Sequence, residues 1–208
     1  MTGSLCLQCL LGIQCNDFAM IAADQTFTQS IVIMKQDENK LYDVNNMVIG
    51  ITGEASDATQ FVHFISKNIQ LYHMRNGYHL DTPSAVHFIR RNLMEGLRSG
   101  YPTVVNMLVC GYSETEGGQL YTMDFLASCM KVPFAVHGFG GLLSLAILDR
   151  YYKPTLTEAE AYEVLKLCVQ EIHMRLLVSL PNFQVKVISK AGIKMLPIIN
   201  ATTLSSLS

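Results

Sequence analysis

The fold is decided by residues 7–27, LQCLLGIQCNDFAMIAADQTF, and residues 38–57, ENKLYDVNNMVIGITGEASD. In the first stretch, two short apolar runs, Cys9–Gln14 and Phe18–Ala23, flank the polar triplet Cys15-Asn16-Asp17. Short runs of apolar and β-forming residues around an Asn-Asp pair are typical of a β-hairpin. The second stretch continues with strand-like runs and then passes into a helical pattern.

Three polar or glycine positions at the ends of these runs form a candidate site. Asp24 ends the second run, Lys40 begins a later one, and Gly53 ends the apolar run Asn46–Gly53 just before the helical pattern. A carboxylate and an amine near a glycine at a helix start suit nucleophile activation beside an oxyanion site. The same residues also fit a turn cap, a surface lysine and a glycine before a helix. Spacing alone leaves both interpretations open, and the stretch offers no evident nucleophile.

The composition favours contact with other proteins. Of 208 residues, 50% are hydrophobic and 15% are charged, whereas about 25% charged is usual. No apolar run approaches the ~18 residues that a membrane span needs, and a net charge of −2 argues against nucleic acid. The first basic residue is Lys35, so the N-terminal segment lacks the basic region of a signal peptide. We therefore expect reduced cysteines and no membrane or nucleic-acid partner.

The rest of the chain predicts one α+β domain over residues 1–208, with its core at about 7–197, a short N-terminal arm and a polar C-terminal tail. The expected elements are a strand at Gln29–Lys35, a strand at Lys40–Val44, a helix from Glu54 to Asn76, a helix capped by Thr82 and ending near Ser99, strands at Val104–Tyr112 and Leu120–Phe125, a strand pair around Ala127–Ala135, a helix at Leu142–Tyr151 buried between layers, a helix capped by Thr157, and strands at Phe183–Ser189 and Gly192–Pro197. Runs of strands followed by pairs of helices favour two antiparallel sheets with helices outside.

No motif predicts a metal or a cofactor. Cys6-x-x-Cys9 lacks a second cysteine pair, and the six histidines include no HExxH pattern. Gly138-x-Gly140-Gly141 precedes an apolar helix but lacks the lysine of a phosphate loop. We expect these glycines to permit close backbone packing.

Several segments together resemble proteasome beta subunits, over roughly Leu7 to Pro197. They are GIQCNDFAMIAAD, KLYDVNNMVIGITGEASD, QLYHMRNGYHL, RRNLMEGLRS, HGFGG and LAILDRYY. YHMRNGY, RRNL, PFAVHGFGG and ILDRYY resemble more narrowly the beta-4 branch of the family, also called beta type-2. The resemblance implies a four-layer αββα sandwich of the Ntn-hydrolase type.

The resemblance also implies roles for individual positions. In active members, an N-terminal threonine is the nucleophile and its α-amine is the general base, while a lysine, an aspartate and a glycine amide support it. The aspartate corresponds to Asp24, the lysine to Lys40, the glycine to Gly53 and the threonine to Gln8. Glutamine has no nucleophilic oxygen or sulfur. We therefore expect no catalytic residue in this chain and regard Asp24, Lys40 and Gly53 as vestigial equivalents.

Other positions support the loss of catalysis. A serine and a later aspartate of active members fall on Phe139 and Leu176. Thr2 and Ser4 lie upstream of the nucleophile position, and Cys9 would face the opposite side of the strand.

The expected function is that of a non-catalytic subunit of the inner beta ring of the 20S proteasome, which degrades proteins in an ATP- and ubiquitin-dependent way. The resemblance implies beta-3 and beta-5 as lateral neighbours, contacts with alpha-ring subunits and the opposite beta ring, and a location in cytoplasm and nucleus. One alternative is an active threonine-type peptidase subunit with a processed N-terminus. Another is a self-contained binding domain, which the hydrophobic composition disfavours.

Overall fold

The computed structural model describes residues 8–29 and 32–204. The strands are β1 (Leu10–Gln14), β2 (Phe18–Asp24), β3 (Phe27–Gln29), β4 (Val32–Lys35), β5 (Leu41–Val44), β6 (Met47–Gly53), β7 (Val105–Ser113), β8 (Gly117–Met123), β9 (Cys129–Lys131), β10 (Phe134–His137), β11 (Phe183–Ser189) and β12 (Gly192–Ile199). The helices are α1 (Ala55–Asn76), α2 (Thr82–Ser99), α3 (Gly138–Tyr151), α4 (Glu158–Arg175) and α5 (Ala201–Leu204).

Two five-stranded antiparallel sheets form the centre of the molecule. The first has the order β10-β1-β2-β11-β12 and the second has the order β5-β6-β7-β8-β9. The hairpin of β3 and β4 forms a small separate sheet. The predicted hairpin at the start of the chain is confirmed, since β1 and β2 pair directly from Leu10↔Ala23 to Gln14↔Ala19.

Three apolar clusters separate four layers. One cluster lies under α3 and α4 and includes Cys9 and Leu11, a second lies under α1 and α2, and a third, which includes Leu10, lies between the two sheets. Successive residues of β1 contribute to different clusters because side chains alternate across a strand. The layers run helix, sheet, sheet, helix, so the α+β fold and the αββα sandwich are confirmed.

The strand pair expected around Ala127–Ala135 is wrong. β9 pairs with β8 in the second sheet, whereas β10 pairs with β1 in the first. Pro133 lies between them, and its carbonyl accepts a hydrogen bond from the Gln14 amide. The two strands therefore connect the sheets instead of pairing with each other.

The strand expected at Gln29–Lys35 is likewise replaced by two shorter strands, β3 and β4. They pair antiparallel, with Gln29 opposite Val32. Gln29 and Val32–Lys35 of the expected strand therefore belong to two different strands.

Asp81, not Thr82, caps α2. The Asp81 carboxylate accepts a hydrogen bond from the Ser84 amide at 3.2 Å, and Thr82 is the first residue inside the helix. Thr82 is buried against β7, where a Cβ at Gly111 would lie 2.0 Å from its hydroxyl oxygen. The threonine side chain therefore packs in the core, while the aspartate before it satisfies the helix start.

The helix expected at Leu142–Tyr151 begins earlier, at Gly138, and the expectation that it is buried between layers is wrong. Gly140, Gly141, Ser144 and Leu148 are buried, but the side chain of Leu142 is 64% exposed. α3 belongs to an outer layer, so only one of its faces meets the sheet. No helix within residues 8–29 and 32–204 is long and apolar enough to cross a membrane.

Candidate functional site

Asp24 is a fully buried carboxylate that organises the end of β2. One of its oxygens, Oδ1, accepts a hydrogen bond from the Cys9 amide at 2.7 Å. The other, Oδ2, accepts from the Thr26 amide at 3.0 Å and from Lys40 Nζ at 2.8 Å. Three donors therefore compensate the cost of burying this charge.

Lys40 precedes β5, and its ammonium group crosses to Asp24. Besides the ion pair, Lys40 Nζ donates to the carbonyl of Thr26 at 2.8 Å. The lysine is 6% exposed. The surface-lysine interpretation is therefore wrong, and the buried ion pair is part of the fold.

Gly53 ends β6 immediately before α1 and cannot be replaced without strain. Its φ is +139°, and a Cβ there would lie 2.2 Å from the carbonyl oxygen of Val104. The following residue, Glu54, donates its amide to the same carbonyl at 3.2 Å. The Gly53 amide therefore remains available to a group from the residues just before β1.

That group is the side chain of Gln8. The Gly53 amide donates to Gln8 Oε1 at 3.0 Å, and Gln8 Nε2 donates to the Gly53 carbonyl at 3.3 Å. We call this pair of hydrogen bonds the Gln8–Gly53 clasp. An oxyanion-hole donor stands about 2.7–3.1 Å from the oxyanion, so the glutamine oxygen occupies the distance range that a reacting oxygen would need.

The glycines at the start of α3 allow its backbone to pack closely against Gln8 and Cys9. Gly138 has a φ of +80°, and a Cβ there would lie 1.9 Å from the Gln8 carbonyl oxygen. A Cβ at Gly140 would lie 3.0 Å from the Cys9 sulfur. The expectation that these glycines permit close backbone packing is confirmed.

Cys9 faces away from the clasp. It belongs to the cluster under α3 and α4, so the predicted opposite orientation of Gln8 and Cys9 is confirmed. Burial, and then the nearby Asp24 carboxylate, raise the pKa of the Cys9 thiol well above its usual value. A thiol with a raised pKa is a poor nucleophile near neutral pH.

Phe139 and Leu176, the two other positions compared with active members, carry no nucleophilic side chain. Phe139 is an exposed residue in the first turn of α3, and Leu176 follows α4 and packs against the apolar cluster below it. Thr2, Ser4, Cys6 and Leu7 lie outside the described residues. No group of three or more potential metal ligands occurs within the described part of the chain.

Sequence reasoning brought Asp24, Lys40, Gly53 and Gln8 to one region, and the structure places them there. It missed the clasp, because a glutamine amide can pair with many partners and Gly53 lies 45 residues away. It also missed Lys186 in β11, whose Nζ donates to the Leu41 carbonyl at 3.2 Å and to Asp43 at 2.7 Å. A lysine inside the otherwise apolar run FQVKVIS was the available signal.

Comparison with known proteins agrees with this architecture. The family described as "Proteasome subunit" matches residues 8–188. "Proteasome subunit beta type-2" of Oryza sativa subsp. japonica is 36% identical over 187 residues, covering 89% of this chain and 88% of that protein. The beta type-2 subunit of Dictyostelium discoideum is 37% identical over 195 residues, covering 92% and 98%. "Proteasome subunit beta type-4" of Saccharomyces cerevisiae is 33% identical over 187 residues, covering 89% and 94%. The chain therefore belongs to the proteasome subunit family.

Proposed function

We propose that this chain is a non-catalytic structural subunit of the inner beta ring of the 20S proteasome. The observation that carries the proposal is the Gln8–Gly53 clasp. The residue at the nucleophile position has no atom that can attack a carbonyl, and its Oε1 already accepts the hydrogen bond of the Gly53 amide. A substrate oxygen would have to displace this internal acceptor and would still meet no nucleophile.

The buried ion pair supports the same conclusion. Asp24 and Lys40 together hold the Cys9 amide, the Thr26 amide and the Thr26 carbonyl. These bonds fix the ends of β1 and β2 whether or not catalysis occurs. In this proposal, Asp24 and Lys40 have a structural role and no catalytic one.

The proposed role is to supply walls and contacts in the chamber for ATP- and ubiquitin-dependent protein degradation. Members of this family work in assemblies with other proteasome subunits. For this chain we propose beta-3 and beta-5 as lateral neighbours, with further contacts to the alpha ring and to the opposite beta ring, in cytoplasm and nucleus. The exposed apolar residues of α3 support extensive burial against other chains.

Labelling of the intact complex tests the proposal. A peptide epoxyketone or vinyl sulfone reacts with N-terminal threonines, so we expect it to label other beta subunits and leave this chain unlabelled. Labelled threonine subunits in the same sample are the positive control. Covalent label on this chain, identified by peptide mass spectrometry, would refute the non-catalytic role.

A further inference from the structure

The end of α1 contains the only Asn-Gly pair in the sequence, Asn76-Gly77. Asn76 is the last residue of α1, and Gly77 follows it in the left-handed conformation with a φ of +77°. Both residues are exposed. Asparagine is a thermally labile residue, because its side-chain carbonyl carbon can react with the backbone nitrogen of the next residue. Glycine hinders that reaction least, since it has no Cβ.

Two hydrogen bonds keep the reacting groups apart. Asn76 Nδ2 donates to the Tyr72 carbonyl at 2.9 Å, so the side chain points back along the helix. The Gly77 amide donates to the His73 carbonyl at 2.8 Å. The Gly77 nitrogen and the Asn76 side chain are therefore each held by a different partner. Both hydrogen bonds must open before the two groups can meet.

Two contacts between rings hold this turn closed. Tyr72 and Tyr78 meet edge to face with ring centroids 5.6 Å apart, and their hydroxyl oxygens are 2.7 Å apart. His73 and His79 are stacked, with centroids 3.8 Å apart and planes inclined by 9°. We call these two contacts the ring pairs. They join the last turn of α1 to the chain beyond Gly77, and aromatic contacts of the Tyr72–Tyr78 kind stabilise a fold beyond the area they bury.

We propose that Asn76 is a site of deamidation, and that the ring pairs set its rate by holding the last turn of α1 closed. Local openings of helix ends occur within the native state. In the open turn, the Gly77 nitrogen attacks Cγ of Asn76. A bond forms between the two atoms, the bond from Cγ to Nδ2 breaks, and ammonia leaves with the proton of the Gly77 amide. Solvent water then opens the cyclic imide to aspartate or isoaspartate, so no oxidant or other reactant is needed.

The product disfavours the closed turn. An ionised carboxylate at residue 76 cannot donate to the Tyr72 carbonyl and repels it. The new negative charge also lies at the C-terminal end of α1, where the helix dipole is already negative. Isoaspartate adds a methylene group to the main chain, which changes the spacing between the His73 carbonyl and the Gly77 amide. Deamidation therefore loosens the connection between α1 and α2 in one direction only.

The native chain contains matched controls for the reaction. Asn68 and Asn92 each donate to the carbonyl four residues earlier at 2.8 Å, as Asn76 does, but buried Ile69 and Leu93 follow them inside a helix. The full-length chain is incubated in heavy-oxygen water at neutral pH, digested in ordinary water and analysed by peptide mass spectrometry. We expect heavy oxygen at residue 76 and none above background at Asn68 or Asn92. Equal labelling of the three residues, or no label at residue 76, would overturn the proposal.

Two double variants test the ring pairs. Tyr78→Ala combined with His79→Ala removes one partner from each pair, whereas Tyr101→Ala combined with His87→Ala removes the same side chains at exposed positions outside them. We expect the first variant to label residue 76 about tenfold faster, which corresponds to a shift of about 1.4 kcal/mol in the opening equilibrium. The second should label it at the native rate. An unchanged rate in the first variant, or the same increase in both, would refute the role of the ring pairs.

A milder change keeps this test decisive if the first variant does not fold, which urea unfolding shows beforehand. Tyr78→Phe removes only the hydroxyl contact with Tyr72 and retains the ring. We expect it to label residue 76 faster than the native chain does, at an unchanged unfolding midpoint. A rate equal to the native one would refute the contribution of the tyrosine pair.

Discussion

At the scale of single residues, Gln8 combines two effects that are usually separate. Its side chain carries no nucleophilic oxygen or sulfur, and its amide satisfies both the donor and the acceptor of Gly53. Without an acceptor for the Gly53 amide at this half-buried site, the free energy of unfolding would fall, because polar groups removed from water need hydrogen-bond partners. In the proposed non-catalytic role, Gln8 therefore makes a structural contact with Gly53.

Gln8→Ala is expected to lower the free energy of unfolding by about 1–3 kcal/mol, because it removes two hydrogen bonds and leaves the Gly53 amide unpaired. Urea unfolding of the full chain measures this. Gln8→Glu is the matched variant: its ionised carboxylate can accept from the Gly53 amide but repels the Gly53 carbonyl. A protonated carboxyl can donate to that carbonyl, so the Glu variant should lose stability as the pH rises through its pKa. Variants that match the native chain at every pH would disprove the clasp.

The Asp24–Lys40 pair yields a second prediction at this scale. Lys40→Met is expected to cost about 3–5 kcal/mol, because it leaves the fully buried Asp24 carboxylate without its cation. Lys131→Met removes the exposed ion pair with Glu116 and should cost no more than about 1 kcal/mol. Denaturant unfolding compares the two. Equal losses would show that Lys40 does not carry the structural role assigned to it.

At the scale of elements, the helix starts differ in how their amides are satisfied. The Asp81 carboxylate caps α2, Thr157 and Glu160 form a reciprocal capping box at α4, and Glu54 makes no side-chain cap at α1. The Thr157 capping box was predicted from its spacing and is confirmed. The prediction that Thr82 caps α2 is wrong because the core takes up the Thr82 side chain, which the sequence alone does not show.

Asp81→Ala should reduce the free energy of unfolding by about 1 kcal/mol, because the Ser84 amide loses its acceptor. Glu54→Ala is the control at the uncapped helix start and should change stability little. Thermal or urea unfolding distinguishes them. A larger loss for the Glu54 variant would contradict the assignment of the cap.

The β10–α3 junction predicts a dependence on pH. Burial lowers the pKa of His137, while its hydrogen bond to the Met107 carbonyl and the charge of Asp124 oppose that shift. Because the folded pKa lies below the unfolded value of about 6.5, the unfolded chain binds more protons in the window between the two pKa values. Stability from this group is therefore complete above the unfolded pKa and falls as the pH drops.

His137→Gln should flatten the decline of the urea midpoint between about pH 7 and pH 5, relative to the native chain. His87→Gln, which changes an exposed histidine on α2, is the control and should leave the decline intact. An unchanged slope in the His137 variant would show that this residue does not contribute to the acid sensitivity.

At the scale of the whole molecule, element order and layer arrangement were readable from the periodicity of the sequence. Short apolar runs on either side of Asn16-Asp17 marked β1 and β2, and the change to a helical period at Glu54 marked α1. The sequence did not show which sheet each strand joins. β9 and β10 are adjacent in sequence, yet they pair with strands of different sheets. The exposure of Leu142 could not be predicted either. The apolar pattern of α3 does not show which of its faces packs against the sheet.

The same limit applies to the candidate site. The chain positions of Asp24, Lys40 and Gly53 followed from strand ends and from the family pattern. The hydrogen bonds between Gln8 and Gly53 join residues that are far apart in the sequence. A local sequence pattern therefore could not predict them. The glutamine at position 8 was visible in the sequence, whereas its hydrogen bonds to Gly53 were visible only in three dimensions.

Native mass spectrometry of the endogenous complex tests the central claim most directly, with identification of every subunit and of the N-terminal residue of this chain. We expect to find this chain once or twice among many different alpha- and beta-type subunits, with residues before Gln8 retained. A homo-oligomer, or a chain trimmed to a new Thr, Ser or Cys, would contradict the non-catalytic role.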